Sequence, residues 1–171
     1  MPLSTIPEGL DLIETPLGTT IRKTWLTWLV APLALFAIFW DGFLFLFYWS
    51  ILTKADSPGL PLLFPIPHVC VGLGLTYYVL ASFINKTDIV ISESGVTVTT
   101  GPAPWFGNRQ VRADEIEQVI VRERRGNKGG RTYWVMYAGP SRKEQKLVSW
   151  LPNQDQAEFI AQTVKDVLQL Q

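Results

Sequence analysis

Between Trp25 and Ile84 the chain reads WLTWLVAPLALFAIFWDGFLFLFYWSILTKADSPGLPLLFPIPHVCVGLGLTYYVLASFI. Two long apolar blocks flank a short, polar, turn-forming linker at residues 53–59, TKADSPG. An α-helix needs roughly 20 apolar residues to cross the hydrocarbon layer of a bilayer. Residues 25–52 exceed that length, and residues 60–84, which hold no formally charged side chain, also meet it. Each block is therefore expected to form one membrane-spanning helix, the longer one tilted. Pro61, Pro65 and Pro67 crowd the start of the second block, where a helix has no internal partners for its N–H groups and proline costs least. A regular helix is expected from about His68. The alternative reading of both blocks is a pair of buried helices in a soluble protein.

A short linker makes the two helices antiparallel neighbours, so residues 1–23 and everything after the second span share one side of the membrane. Arg22 and Lys23 precede the first span and Lys86 follows the second, whereas Lys54 in the linker is offset by Asp56. The positive-inside bias places both ends in the cytoplasm. Trp25, Trp28, Tyr48, Trp49, Tyr77 and Tyr78 fall toward the span ends, as aromatic belts do.

Charge is unevenly spread. Of the 30 charged residues only five acids and three bases precede Lys86, and Asp41 is the sole charge between Thr24 and Thr53. The formal net charge is zero, which gives no support for nucleic-acid partners, since these demand a basic face. Cys70 is the single cysteine, so neither an intramolecular disulfide nor a cysteine metal cluster is expected. It reads as a small lipid-facing or packing residue. The first 20 residues are acidic and interrupted by Pro2, Pro7 and Pro16, unlike a cleaved signal peptide, and the N-terminus is read as retained.

Asp41 sits near the middle of the first span, where a charge costs about 2.5 to 3.5 kcal/mol on insertion scales. It must be neutral, paired or hydrated. Counted from the linker, Asp41 and His68 lie at similar depth, and the expectation is an intramembrane polar pair between them that holds the hairpin together. Proton handling by the pair, or axial ligation of a porphyrin-type cofactor by His68, is the functional alternative. No cofactor and no metal are otherwise called for. Gly42, Gly72 and Gly74 permit close helix approach without the GxxxG spacing of a strong dimer face. Phe36, Phe39, Trp40, Phe43, Phe45 and Phe47 surround the first span rather than forming one stripe, which suits lipid contact, with a partner helix or pigment as the alternative.

From Lys86 onward the apolar period changes from helical to two-fold. Residues 87–93 (TDIVISE) and 96–100 (VTVTT) read as a hairpin about Ser94-Gly95. Residues 108–112, 116–124 (IEQVIVRER), 131–138 (RTYWVMYA) and 144–151 (EQKLVSWL) supply further strands. Asn153 is a candidate helix cap with Gln156 as its capping-box partner, and Ile160, Val164, Val167 and Leu168 recur on one helical face over residues 153–170. The fold class is thus α+β: a two-helix transmembrane hairpin (residues 24–85) followed by a small antiparallel barrel or sandwich (residues 86–171) capped by a C-terminal helix. Six or more strands ending in one amphipathic helix is the order of a pleckstrin-homology-like domain. Residues 10–21 offer one more hairpin in the N-terminal tail (residues 1–23), with its turn at 15–18.

The chain resembles a group of bacterial inner-membrane proteins in which a two-helix hairpin precedes a pleckstrin-homology-like domain. The resemblance is carried by FWDGFLFLFYWS at 39–50, LFPIPHVCVGLGLTYYVLASFINKT at 63–87 and GPAPWFGNRQVRADEIEQV at 101–119. It implies a bacterial cytoplasmic membrane location and this architecture, and it supplies no catalytic residue.

The sequence contains no phosphate-binding loop, no GxSxG and no paired metal-ligand motif, and its one histidine lies in an apolar span. Asp114, Glu115 and Glu117 cluster at a strand start, where carboxylates face solvent. A non-enzymatic role is expected: a membrane-anchored interaction or scaffold module that meets a protein partner, or an accessory subunit built permanently into a respiratory, photosynthetic or transport complex. Arg122, Arg124, Arg125, Lys128 and Arg131 surround a glycine-rich turn and form the densest basic patch. It reads as a solvated hairpin tip, a contact for anionic lipid headgroups, or a protein-binding surface. Trp105 and Phe106, between Pro104 and Gly107, either pack under the sheets or dip toward the bilayer, and packing is the expectation.

Overall fold

The structure, a computed structural model, describes residues 5–16, 18–54, 59, 62–63, 65–126, 129–140 and 143–170. The chain forms two compact units: Trp25–Ile84 is one, and Met1–Thr24 together with Asn85–Gln171 is the other.

The first unit is helical. Helix α1 spans Val30–Lys54 and helix α2 spans Ile66–Ile84. At 1.5 Å rise per residue they are about 37 and 28 Å long, the thickness a bilayer core demands. Helix α1 starts five residues later than the apolar block does: residues 25–27 are irregular, 28–29 form a turn, and Pro32 then occupies the first helical turn, where proline is tolerated. Helix α2 begins two residues before His68, with Pro67 in its own first turn. Pro61 and linker residues 55–58 lie outside the described residues. The helices meet along Val30, Leu33, Ala34 and Ala37 of α1 and Leu75 and Val79 of α2. Their other faces are bare: only 17 % of the apolar window of α1 and 22 % of that of α2 is buried. Both are long and apolar enough to cross a membrane, and they lack the burial of a soluble protein's core helix.

Among its described residues the second unit holds eight strands in two antiparallel sheets and one α-helix. Strands β1 (Leu10–Thr15), β2 (Gly18–Thr24), β3 (Lys86–Ser92), β4 (Gly95–Gly101) and β5 (Arg109–Arg112) form a five-stranded meander. Strands β6 (Gln118–Arg125), β7 (Arg131–Ala138) and β8 (Glu144–Leu151) form a three-stranded one. Among the described residues no ladder joins the sheets, so the barrel alternative is not formed. Alternation decides which side is buried: Thr87, Ile89 and Ile91 of β3 and Val96, Val98 and Thr100 of β4 all turn inward. Helix α3, Gln154–Leu168, adds Ala157, Ile160, Ala161 and Val164 to the same core, where Ile21, Val135, Leu147 and Leu151 are also fully buried. Each such aliphatic side chain contributes about 1.5 to 3 kcal/mol of burial free energy.

Strand β2 pairs with β3 in a register that sets Thr24 opposite Lys86. Residues 10–24 are therefore part of the main sheet rather than a free tail, and the whole helical unit is an insertion between two adjacent strands. Arg22 and Asp88 fix this seam with a paired contact, Nε to Oδ1 at 2.7 Å and the second guanidinium nitrogen to Oδ2 at 2.9 Å. The expected capping box is not made. Asn153 occupies the cap position without a side-chain bond, and the Gln156 amide donates instead to the Glu8 carbonyl at 2.6 Å.

Candidate functional site

Three places in the molecule bring polar or aromatic side chains into unusual company. The first is the helix hairpin. Asp41 of α1 accepts a hydrogen bond on Oδ2 from the hydroxyl of Thr76 on α2, at 2.5 Å. One turn earlier on α2 stands Gly72, where a Cβ would run into Asp41 Oδ1 and come within 3.2 Å of Trp40. Glycine at that position is what admits the carboxylate to the interface. Another turn back is His68, whose ring stacks on that of Trp40 with centroids 5.7 Å apart and whose carbonyl accepts from Trp40 Nε1 at 3.2 Å. His68, Gly72 and Thr76 thus form an i, i+4, i+8 stripe facing Trp40, Asp41 and Leu44. The Tyr48 hydroxyl adds a further bond across the hairpin, to the Leu62 carbonyl at 3.2 Å. The depth argument selected Asp41 and His68. Thr76, which bonds to Asp41, escaped it because threonine is unremarked in apolar helices. Gly42 and Gly74 have open space where a Cβ would go, so of the three glycines flagged only Gly72 is packed.

The second place is the basic turn between β6 and β7. Arg122 is held to Glu144 of β8 through two nitrogens, one of them Nε at 3.2 Å from Oε2. That bond raises the Arg122 pKa and holds the Glu144 carboxyl below its usual range. Arg125 and Arg131 share Glu123, at 3.1 and 3.7 Å. Lys128 lies outside the described residues. Arg122, Arg125 and Arg131 thus each meet a carboxylate of the same sheet. Asp114 and Glu115 likewise pair with Arg112, each at 3.1 Å.

The third place was not foreseen. In RTYWVMYA the inward positions are Tyr133, Val135 and Tyr137, which turns Trp134 to the outer face of the three-stranded sheet. It is buried there all the same. The Arg124 guanidinium lies 4.8 Å and the Lys146 ammonium 4.3 Å from its ring, and Trp150 meets it edge-on at 5.8 Å. Trp150 owes its position to a bulge: Tyr133 pairs with Leu151 and Val135 with Val148, so two residues of β8 oppose Trp134 alone. Trp150 takes φ 63°, a left-handed conformation rare for a bulky side chain, and is 67 % exposed between the buried Val148 and Leu151.

Trp105 and Phe106 sit in the β4–β5 loop, their rings edge-on at 6.1 Å. Trp105 is half-buried, but Phe106 is 90 % exposed and does not pack beneath the sheets as expected. Cys70 is exposed on α2. An open groove of about 850 Å³ runs between residues 5–8, β6 and α3, with no cluster of reactive side chains along it. Among the described residues no three His, Cys, Asp or Glu stand together as a metal site. No protein-family model matches the chain, and no curated protein matches it.

Proposed function

We propose that this protein is a membrane-anchored, non-enzymatic interaction module of the bacterial cytoplasmic membrane, whose sheet domain stands in the cytoplasm and meets a protein partner there. The observation that carries the reading is the bareness of the two helices. A helix with Phe39 71 % and Phe45 65 % exposed is unstable in water, and lipid is the solvent that suits it. The register supports an even number of crossings: Thr24 and Lys86, which flank the helical insertion, are paired in one sheet and so belong to one side of any membrane. Arg22, Lys23 and Lys86 on that side favour the cytoplasm. A pleckstrin-homology-like ancestry agrees with antiparallel strands followed by one C-terminal helix.

A second reading is an accessory subunit built permanently into a larger membrane complex. It is favoured by exposed aromatics on several sides of α1, Phe36, Phe39, Phe43, Phe45 and Trp49, which suit neighbouring helices as well as lipid tails. Purification in mild detergent separates the two. A built-in subunit retains its neighbours in fixed stoichiometry, whereas a transient module comes away alone.

A further inference from the structure

The sheet domain has one rim at which the chain leaves for the helices, at Thr24, and returns from them, at Asn85. Two residues with exposed aromatic rings, Phe106 and Trp150, are tied to that rim through hydrogen bonds. Asn85 clamps the β4–β5 loop by accepting from the Ala103 N–H at 2.7 Å and donating to its carbonyl at 3.2 Å. Asn108 closes the loop's other stem by accepting from the Thr100 N–H at 2.8 Å. Phe106, the most exposed of the large apolar side chains among the described residues at 90 %, is therefore held by a loop tied to the residue that follows the second apolar helix. On the other strand Lys23, one residue from the departure point, donates to the Trp150 carbonyl at 3.2 Å. That bond ties the backbone of Trp150, in its strained bulge, to the same rim. A left-handed tryptophan is costly, and such outliers cluster at functional sites.

We infer that this rim is an interfacial anchor, with Phe106 and Trp150 seated in the headgroup layer of the lipid bilayer. The occupant is a membrane surface because residues 24 and 85 are covalently continuous with the apolar segment, so the rim cannot leave the lipid boundary once the helices are in it. Aromatic side chains favour that boundary because their rings are apolar and tolerate the wet, polar surroundings of headgroups. The exposed Lys86 adds a cation at the same rim for anionic headgroups. The inference rests on the membrane-spanning reading of α1 and α2.

The test places single cysteines in full-length protein carrying Cys70→Ala, reconstituted into phosphatidylcholine vesicles containing phosphatidylglycerol, labels each with a nitroxide and measures collisions with oxygen and with a water-soluble nickel chelate. Phe106→Cys is the probe, and no packed core is lost there. Leu73→Cys on the bare face of α2 is the lipid reference, and Glu93→Cys, at the far turn of β3–β4 about 20 Å from Lys86, is the aqueous one. An oxygen-to-nickel ratio at Phe106 several-fold above that at Glu93 and below that at Leu73 is the expected result. A ratio at Phe106 equal to that at Glu93, with Leu73 in lipid, overturns the anchor and leaves the membrane reading intact. An aqueous Leu73 overturns both.

Discussion

Thr76 donates its hydroxyl hydrogen to the Asp41 carboxylate at 2.5 Å, joining the two apolar helices at the one formal charge within their apolar length, Lys54 being the last residue of α1. The bond depends on Gly72, which leaves the space the carboxylate occupies. In hydrocarbon an aspartate without a partner is expensive, so the stripe that receives it is what lets this residue stand in the first helix.

Thr76→Val keeps the side-chain shape and removes the donor. The hairpin is expected to lose about 1 kcal/mol, the usual size of an interhelical hydrogen bond in a membrane. Gly72→Leu forces a side chain into the carboxylate and should cost more, about 1 to 3 kcal/mol. Reversible unfolding in micelles reads both changes, and equal stability of the two variants with the parent would remove the stripe from the account.

Much of this was legible beforehand. Hydropathy marked both helices, because twenty apolar residues in a row admit few alternatives, and two-fold alternation marked the strands from Lys86 to Leu151. The pairing of β2 with β3 was not legible: Arg22 and Asp88 are 66 residues apart, and nothing local says that a helical insertion splits a sheet. The ion pairs of the basic turn were legible only in part: Glu123 is a neighbour in sequence, but Glu144 meets Arg122 from another strand, 22 residues away. Trp150 was hidden because a bulge, invisible in EQKLVSWL, reverses which face it takes.

The Arg22–Asp88 seam makes a pH prediction. The hydrogen bond from Arg22 lowers the Asp88 pKa below its ordinary 3.8. The folded state thus binds this proton less readily than the unfolded chain does, so the stabilisation is present above that value and is lost as pH falls below it. Melting temperatures in detergent followed from about pH 5 to 2 should fall more steeply for the parent than for Asp88→Asn, which starts lower at neutral pH. Parallel curves would show that the seam adds nothing.

Lys23 titrates with the opposite consequence. Burial beside Trp150 pushes its pKa below the ordinary 10.5. The fold therefore releases the proton before the unfolded chain does, and stability from this residue rises as pH climbs toward 10.5. Comparing denaturant midpoints of the parent and Lys23→Met across that alkaline range isolates the effect, and the gap between them should narrow in favour of the parent as pH rises. A gap that stays constant would contradict it.

At Trp150 the backbone can be separated from the ring. Ala and Gly both delete the indole, but only alanine keeps a Cβ at φ 63°, where it costs about 1 to 2 kcal/mol. Trp150→Gly should accordingly be more stable than Trp150→Ala by about 1 kcal/mol, the reverse of the ordinary order in a strand. Chemical denaturation of the two variants decides, and a more stable alanine variant would remove the strained bulge.

The most direct test of the whole account is where the intact chain goes when expressing cells are broken without detergent and their membranes are washed with alkaline carbonate and sedimented. Two lipid-embedded helices predict that the protein stays in the pellet and is released only by detergent. Recovery of folded, monodisperse protein in the supernatant would contradict the claim that α1 and α2 are solvated by lipid.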